Sequence, residues 1–390
     1  MILKAIKYCK NKGEKNEWSI RSNPVDNEWL DLNQINLIVG RNASGKTKTI
    51  QIIREIADLL AGDTKLSELI YATSTYELLF ENGNDKNDKV EYFLDFENSK
   101  VIQETLKING IEKLNRAKCE LFYEEIGKNL SFETDEDVLA LSRRDSKQQP
   151  FFESLEIWGK NLTHYKFGDK LGKNFAVTDV NRVPSEKVDL KDGNEVGKVF
   201  IKAQNNLGEK FIHCIIDDMD KIGYSISSID IKPLVLKSEL FGFVLNVQET
   251  ELKDVTNQLD MSQGMFRAFS LLIQLNYSLL EKIPSCILID DIGEGLDYER
   301  SKALIDLIIE KVKNSSVQVI MTTNDQFVMD NIPLEYWSVI QRLKNKSIFY
   351  NDRNAKQNFD DFAFTGLNNF DFYTSEFFIH GFEDYVKEVI

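Results

Sequence analysis

The spacing of apolar residues divides the chain into stretches of period two and stretches of helical period. Leu3–Tyr8 and Trp18–Ile20 read as strands, and Ile35–Val39 (Ile-Asn-Leu-Ile-Val) is a short apolar strand. Thr49–Leu60 then takes up helical spacing. Between Lys65 and Ser142 the clearest alternating runs are Tyr76–Phe80, Val90–Phe96, Val101–Ile108 and Leu121–Tyr123. Glu81-Asn82-Gly83-Asn84-Asp85 supplies a turn between the first two, so this stretch predicts a twisted antiparallel meander. Helical spacing returns at Phe151–Trp158, Glu195–Gln204 and Gly208–Ile222. The last carries Phe211, Ile212, Ile215, Ile216, Met219 and Ile222 on one stripe. Residues 171–193 are polar, with a mobile loop expected over Val183–Gly193. Ser225–Ile231 and Phe241–Val247 read as strands returning to the core.

Beyond Leu259 the pattern becomes strongly apolar. Ala268–Leu280 predicts a buried helix, and Cys286–Ile289 a buried parallel strand with Asp290 and Asp291 at its carboxyl end. An amphipathic helix at Glu299–Val312, a second buried strand at Val317–Met321 and a hairpin at Trp337–Tyr350 follow. Asn358–Ile390, rich in Phe, Asp and Asn, reads as a helical cap or tail. The expected division is 1–64, a first half of an α/β core; 65–142, the meander; 143–235, a helical lobe; 236–350, the second half of the core; and 351–390, the tail.

Composition narrows the function. A net charge of −15 argues against a body that coats nucleic acid, which needs clustered Lys and Arg, although a local basic groove stays open. Cys9, Cys119, Cys214 and Cys286 show no C-x-x-C spacing, as expected of reduced cysteines in a cytoplasmic protein. No apolar run is long enough to cross a bilayer, and the first residues lack a signal-peptide core, so no membrane partner is expected.

The chemistry begins at Gly40-Arg41-Asn42-Ala43-Ser44-Gly45-Lys46-Thr47, between the Ile35–Val39 strand and the following helix. Strand, G-x-x-x-x-G-K-T and helix together form a P-loop. Gly40 and Gly45 permit the tight turn that aims backbone N–H groups at phosphate oxygens, and the helix adds its positive end. Lys46 supplies a mobile cation, and the Thr47 hydroxyl suits Mg²⁺. A nucleoside triphosphate, ATP with Mg²⁺, is the expected ligand. Tyr8, Trp18 and Trp29 either face an adenine ring or pack in the core. Gln149, at the entry to a helical lobe, either reaches the metal or sits in a solvated loop.

Further motifs follow in a fixed order: Ser262-Gln263-Gly264 with Arg267, then Ile287–Asp290, then Asp291, Leu296-Asp297 and Asn324. With the P-loop they resemble the ABC-class ATPase heads of the SMC, Rad50, RecF and OLD-type proteins, above all compact bacterial ATPases of the OLD/AAA15-like group. The resemblance covers nearly the whole chain except about the last thirty residues. It implies an α/β P-loop fold with an antiparallel β subdomain and a helical insertion. It also implies an S-x-G-x-x-R signature at Ser262, Gly264 and Arg267, a metal-holding Asp290 and a catalytic Asp291 where the family usually has glutamate. Asn324 stands where many members carry a switch histidine. Both departures imply slow hydrolysis, or a base supplied by Glu294. The family's arrangement further implies a head-to-tail dimer sandwiching two ATP molecules. Such a switch would control a separate effector, a nuclease or a toxin, in anti-phage defence. A DNA-associated clamp and a scaffold that binds ATP without turnover are the alternatives.

Overall fold

The computed structural model describes residues 1–22, 29–81, 88–169, 171–186 and 188–382. The turn expected at Glu81–Asp85 lies outside them after Glu81. The chain forms two compact units, Met1–Lys160 with Pro333–Ile390, and Asn161–Ile332.

In the first unit the strand Ile35–Val39 is buried along its whole length and pairs in parallel with Trp337–Leu343. That strand turns back as Lys346–Asn351, which lies parallel to Trp18–Ser22, itself antiparallel to Ile2–Lys10. From Ile2–Lys10 the sheet runs on antiparallel through Ser74–Glu81, Lys89–Glu97, Lys100–Ile108, Ile111–Asn115, Glu120–Tyr123 and Lys128–Ser131. The alternation read from the sequence is its cause. Tyr76, Leu78 and Phe80 point inward from one strand, and Val90, Tyr92, Leu94 and Phe96 from the next. Ile111–Asn115 and Lys128–Ser131 were not legible as strands, the latter because all four of its residues are exposed. Glu104 is buried among these strands, and burial pushes its carboxyl above the ordinary range. It accepts hydrogen bonds from the Tyr92 hydroxyl at 2.9 Å and the Ala140 N–H at 2.8 Å, so the group is satisfied.

The helix Lys46–Ala61 begins inside the glycine-rich loop, ahead of the Thr49 expected from spacing. Ile50, Ile53, Ile56, Ala57 and Leu60 form its buried face. The short helices Lys356–Phe362, Asn369–Thr374 and Phe377–His380 are held by aromatic rings. Phe372 packs edge-on against Phe359 and Phe362 at 4.6 and 4.9 Å, and Phe378 against Tyr350 at 5.2 Å.

In the second unit Val317–Thr323, Ser285–Asp290 and Leu162–Lys166 lie side by side in parallel. The two later strands are buried at every residue, which explains their unbroken apolar runs. The helix Gln263–Leu280 is almost wholly buried, and the Tyr165 hydroxyl donates to the Ser270 carbonyl at 3.3 Å. Val196–Leu207 and Glu209–Lys221 form the expected amphipathic pair. Ile226–Leu236 and Glu239–Glu249 bury Ile226, Ile229, Val244, Leu245 and Val247, but they do not join the parallel strands. They make a long hairpin that, with Thr256–Asn257, forms a separate three-stranded antiparallel sheet. Its turn end leaves Val235, Leu236, Leu240 and Phe241 exposed. On its edge strand Asp230 Oδ1 accepts from the Ile231 N–H at 2.7 Å, and Pro233 has no N–H to offer.

Candidate functional site

The loop Gly40–Thr47 joins a buried strand to a helix, and its backbone is left-handed twice, at Ala43 (φ 61°) and at Gly45 (φ 112°). Gly45 carries the more extreme angle, which a side chain would strain. A turn of this kind is a concave nest for an anion. Lys46 is 7% exposed, not solvated as its role as a mobile cation suggests. Its Nζ donates to the carbonyls of Gly40 at 2.7 Å and Arg41 at 3.2 Å. Ser44 Oγ is buried and has no hydrogen-bond partner. The loop is braced from outside. Ser347 Oγ donates to the Ser44 carbonyl at 2.9 Å, and Arg342 Nη1 to the Ala43 carbonyl at 3.1 Å. Arg41 and Asn42 are exposed, and Arg41 pairs with Glu376 at 3.1 Å. Thr47 is exposed. Gln149 is buried, and its Oε1, the atom a metal would take, accepts from the Asp145 N–H at 3.1 Å.

The second unit gathers the later motifs. Ser262 caps the helix Gln263–Leu280, its Oγ accepting from the Met265 N–H at 3.1 Å. Gly264 is needed by packing: a Cβ there would stand 2.4 Å from the Gly295 carbonyl. Arg267 is buried. Its Nη1 donates to the Glu294 carbonyl at 2.7 Å, and its Nε and Nη2 reach the Asp169 carbonyl at 3.4 Å. Burial lowers its pKa, and Glu294 and Asp169 oppose the shift. Arg267 therefore clamps two loops, the one after Lys166 and the one carrying Glu294. Asp290 ends its strand, accepting from Thr322 Oγ1 at 2.6 Å. Asp291 has left the strand. Its φ is 56°, and its N–H donates to the same Thr322 Oγ1 at 2.9 Å. The strand alternation that would send the two carboxylates to opposite faces therefore stops at Asp290. Glu294 is exposed, its carboxylate 3.2 Å from where a Cβ on Gly168 would lie. Asn324 is exposed between the strand Val317–Thr323 and Asp325, which caps the helix Gln326–Asn331.

Residues 35–330 match the model of the AAA_21 family, described as "AAA domain, putative AbiEii toxin, Type IV TA system". The chain belongs to this family. No curated protein matches the sequence. Among solved structures, an Smc head bound to the C-winged helix domain of ScpA is similar. Its TM-score is 0.53 at 15% identity, covering 90% of this chain and 97% of that one. The Pyrococcus furiosus Smc head with an extended coiled coil, bound to the C-terminal domain of ScpA, gives a TM-score of 0.54. Its identity is 14%, over 93% and 99% of the two chains. The fold of this AAA_21 chain is therefore a mixed α/β P-loop head of the ABC type, with an additional antiparallel sheet. Among the described residues no helix is long and apolar enough to cross a membrane.

The AAA_21 loop fits a nucleotide's phosphates. Ser44 Oγ is a buried hydroxyl in want of a partner, and the left-handed Gly45 keeps the nest open. The exposed Thr47 hydroxyl and the Asp290 carboxylate are oxygen donors of the class Mg²⁺ takes. Beside the loop lies a cleft of 490 Å³ lined by Lys10, Lys15, Trp18, Lys48, Arg342 and Lys344 among others. Sequence reading had marked only Trp18 of these. Lys48 Nζ sits 3.5 Å over the Trp18 ring. Burial, then the charges of Lys10 and Arg342, lower the Lys48 pKa to about 8. Tyr8 is buried, its hydroxyl 3.0 Å from Ser74 Oγ, and Trp29 is half-buried.

Proposed function

We propose that this AAA_21 chain binds and hydrolyses ATP, and that two copies close head to tail over two nucleotides. The observation that carries the reading is the state of the Gly40–Thr47 loop. Its lysine turns back on the loop's own carbonyls, and Ser44 Oγ has no partner at all. Phosphate oxygens would give Ser44 Oγ the partner it lacks and take the place of the loop carbonyls at Lys46. Thr47 and Asp290 would hold Mg²⁺, which when bound neutralises phosphate charge. Asp291 orients or deprotonates the attacking water, fixed in place by its N–H bond to Thr322. It is one methylene shorter than glutamate, and Asn324 cannot exchange a proton, so turnover is slow. Ser262 and the N-terminus of its helix face the partner's nucleotide as an anion site. Since closure binds ATP and hydrolysis ends it, the dimer is a switch whose populations follow differential affinity. The family's toxin–antitoxin description and the solved complexes of Smc heads with ScpA support a separate effector protein as the output, in bacterial anti-phage defence.

A second reading, a DNA-associated clamp, is favoured by the cationic cleft of Lys10, Lys15, Lys48, Arg342 and Lys344 in a chain of net charge −15. Duplex-stimulated hydrolysis decides for it. The test of the sandwich is light scattering with a non-hydrolysable ATP analogue. The wild type dimerises, and Ser262→Arg binds the analogue yet stays monomeric. Equal dimer formation by both would refute the role of Ser262 in trans.

A further inference from the structure

The short helices at the end of the chain reach the glycine-rich loop through an ion pair. Glu376 Oε1 accepts from Arg41 Nη2 at 3.1 Å, so an acid of the tail holds the second residue of the Gly40–Thr47 loop. The family match ends at residue 330, so this acid comes from a part of the chain outside it. Between loop and tail lies a cavity of 640 Å³, lined by Arg41, Ser44, Arg342, Tyr373, Glu376 and Phe378 among others. It gives the Arg41 guanidinium room to turn.

The tail is strained where it makes this contact. Glu376 is left-handed, with φ 54° and ψ 29°, a backbone that a non-glycine residue adopts at a cost. Three residues earlier the Tyr373 hydroxyl is buried and has no hydrogen-bond partner, which is also unfavourable. Burial raises the Tyr373 pKa, and the charge of Arg41 opposes the rise. Aromatic packing holds the turn from the other side. Phe377 meets Phe362 at 5.3 Å and Phe378 meets Tyr350 at 5.2 Å, while Asn358 Nδ2 donates to the Phe378 carbonyl at 3.1 Å.

We propose that Glu376 is a latch on the phosphate loop: its pair with Arg41 opposes nucleotide in the empty loop, and a bound triphosphate breaks the pair and frees the turn from Tyr373 to Gly381. This rests on the P-loop reading. Arg41 is tied at both ends, its carbonyl accepting from Lys46 Nζ at 3.2 Å and its guanidinium held by Glu376. A triphosphate that draws Lys46 to its own oxygens loosens the first tie. The second is an exposed pair, with the arginine side chain 77% exposed, and such a pair is weak and screened by salt. Several phosphate charges outweigh the single charge of Glu376, so the guanidinium leaves the tail. Glu376 is then left-handed and without the partner that offset the strain.

The experiment uses the full chain and a fluorescent, non-hydrolysable ATP analogue, with affinity read by anisotropy and amide exchange followed over residues 369–381. Glu376→Gln keeps the size of the side chain and removes its charge. It binds the analogue about two- to fivefold more tightly than wild type, the range an exposed ion pair supplies, and the gain fades in high salt. Glu376→Asn, a residue at ease in the left-handed region, repeats this arm should the glutamine variant fold poorly. A double-mutant cycle separates a latch from a simple change of charge near the loop. Whatever Arg41→Gln does by itself, adding Glu376→Gln to it brings no further gain, because no pair is left to break. Amide exchange over residues 369–381 rises in wild type when the analogue binds, and is already raised in Glu376→Gln without it. An equal gain in both backgrounds, no gain in either, or tail exchange that the analogue leaves unchanged overturns the latch. A wild type that does not bind the analogue ends the P-loop reading instead, a result visible before any variant is made.

Discussion

The Gly40–Thr47 loop of the first unit and the capped helix of the second both open a helix at a glycine-bearing motif, yet their donors are in opposite states. Around Gly40–Thr47, Lys46 bonds the loop's own carbonyls of Gly40 and Arg41, and Ser44 Oγ has no hydrogen-bond partner. Around Ser262, Arg267 is bonded to the carbonyls of Glu294 and Asp169, and the Ser262 oxygen already takes the Met265 N–H. The first region keeps a buried hydroxyl without a partner. The second is braced internally, so its side chains hold a loop in shape and present a surface. A recognisable motif therefore need not be a row of ligand contacts. Arg267 lies within a signature pattern, and its observed work is to clamp two loops.

The comparison can be broken most forcefully at Lys46. Lys46→Ala removes a donor that bonds the loop carbonyls of Gly40 and Arg41 and lies outside the apolar core, so the fold survives and nucleotide binding or turnover is abolished. Calorimetric titration with ATP, beside a circular dichroism spectrum, checks this; undiminished hydrolysis by a folded variant would end the P-loop reading. Next in size is the base. Asp291→Asn lowers single-turnover hydrolysis by at least about 10²-fold with ATP binding kept and the closed dimer trapped. Glu294→Gln loses less, because only its backbone carbonyl is fixed by Arg267. The reverse order of the two variants would make Glu294 the base. The smallest effect sharpens the braced region. Gly264→Ala drives a methyl against the Gly295 carbonyl and costs about 1–3 kcal/mol of stability. Chemical unfolding measures it, and an unchanged midpoint would mean that the loop of Gly295 yields freely.

Much of this was legible before any coordinates. The strand Ile35–Val39 has the expected bounds, and the runs at Cys286–Asp290 and Val317–Met321 are buried parallel strands. These are cases where local pattern and burial agree, since a strand covered on both faces has little choice but an unbroken apolar run. What escaped was set by partners far away in sequence. Alternation at Ser225–Ile231 and Phe241–Val247 identified strands and could not say which sheet they join. The exposed Val235, Leu236, Leu240 and Phe241 look like core residues to any count of apolar positions. Asp291 was read as the next residue of a strand, whereas its left-handed backbone depends on the turn that follows. Arg41 and Glu376 lie 335 positions apart and meet only in the folded unit. The cationic cleft is drawn from three separate hairpin and helix segments, and whole-chain charge concealed it.

The separate hairpin sheet carries a consequence for growth by strand addition. An incoming strand extends a sheet by meeting successive backbone donors along its free edge. On Ile226–Leu236 the Ile231 donor is occupied by Asp230 and the Pro233 donor does not exist. Residues two apart in a strand face the same way, so both gaps fall on one side. A fourth strand laid there would leave two of its carbonyls dry. The sheet ends by chemistry at this border, and copies of the chain cannot polymerise edge to edge through it, although the nearby turn is as apolar as many aggregating segments.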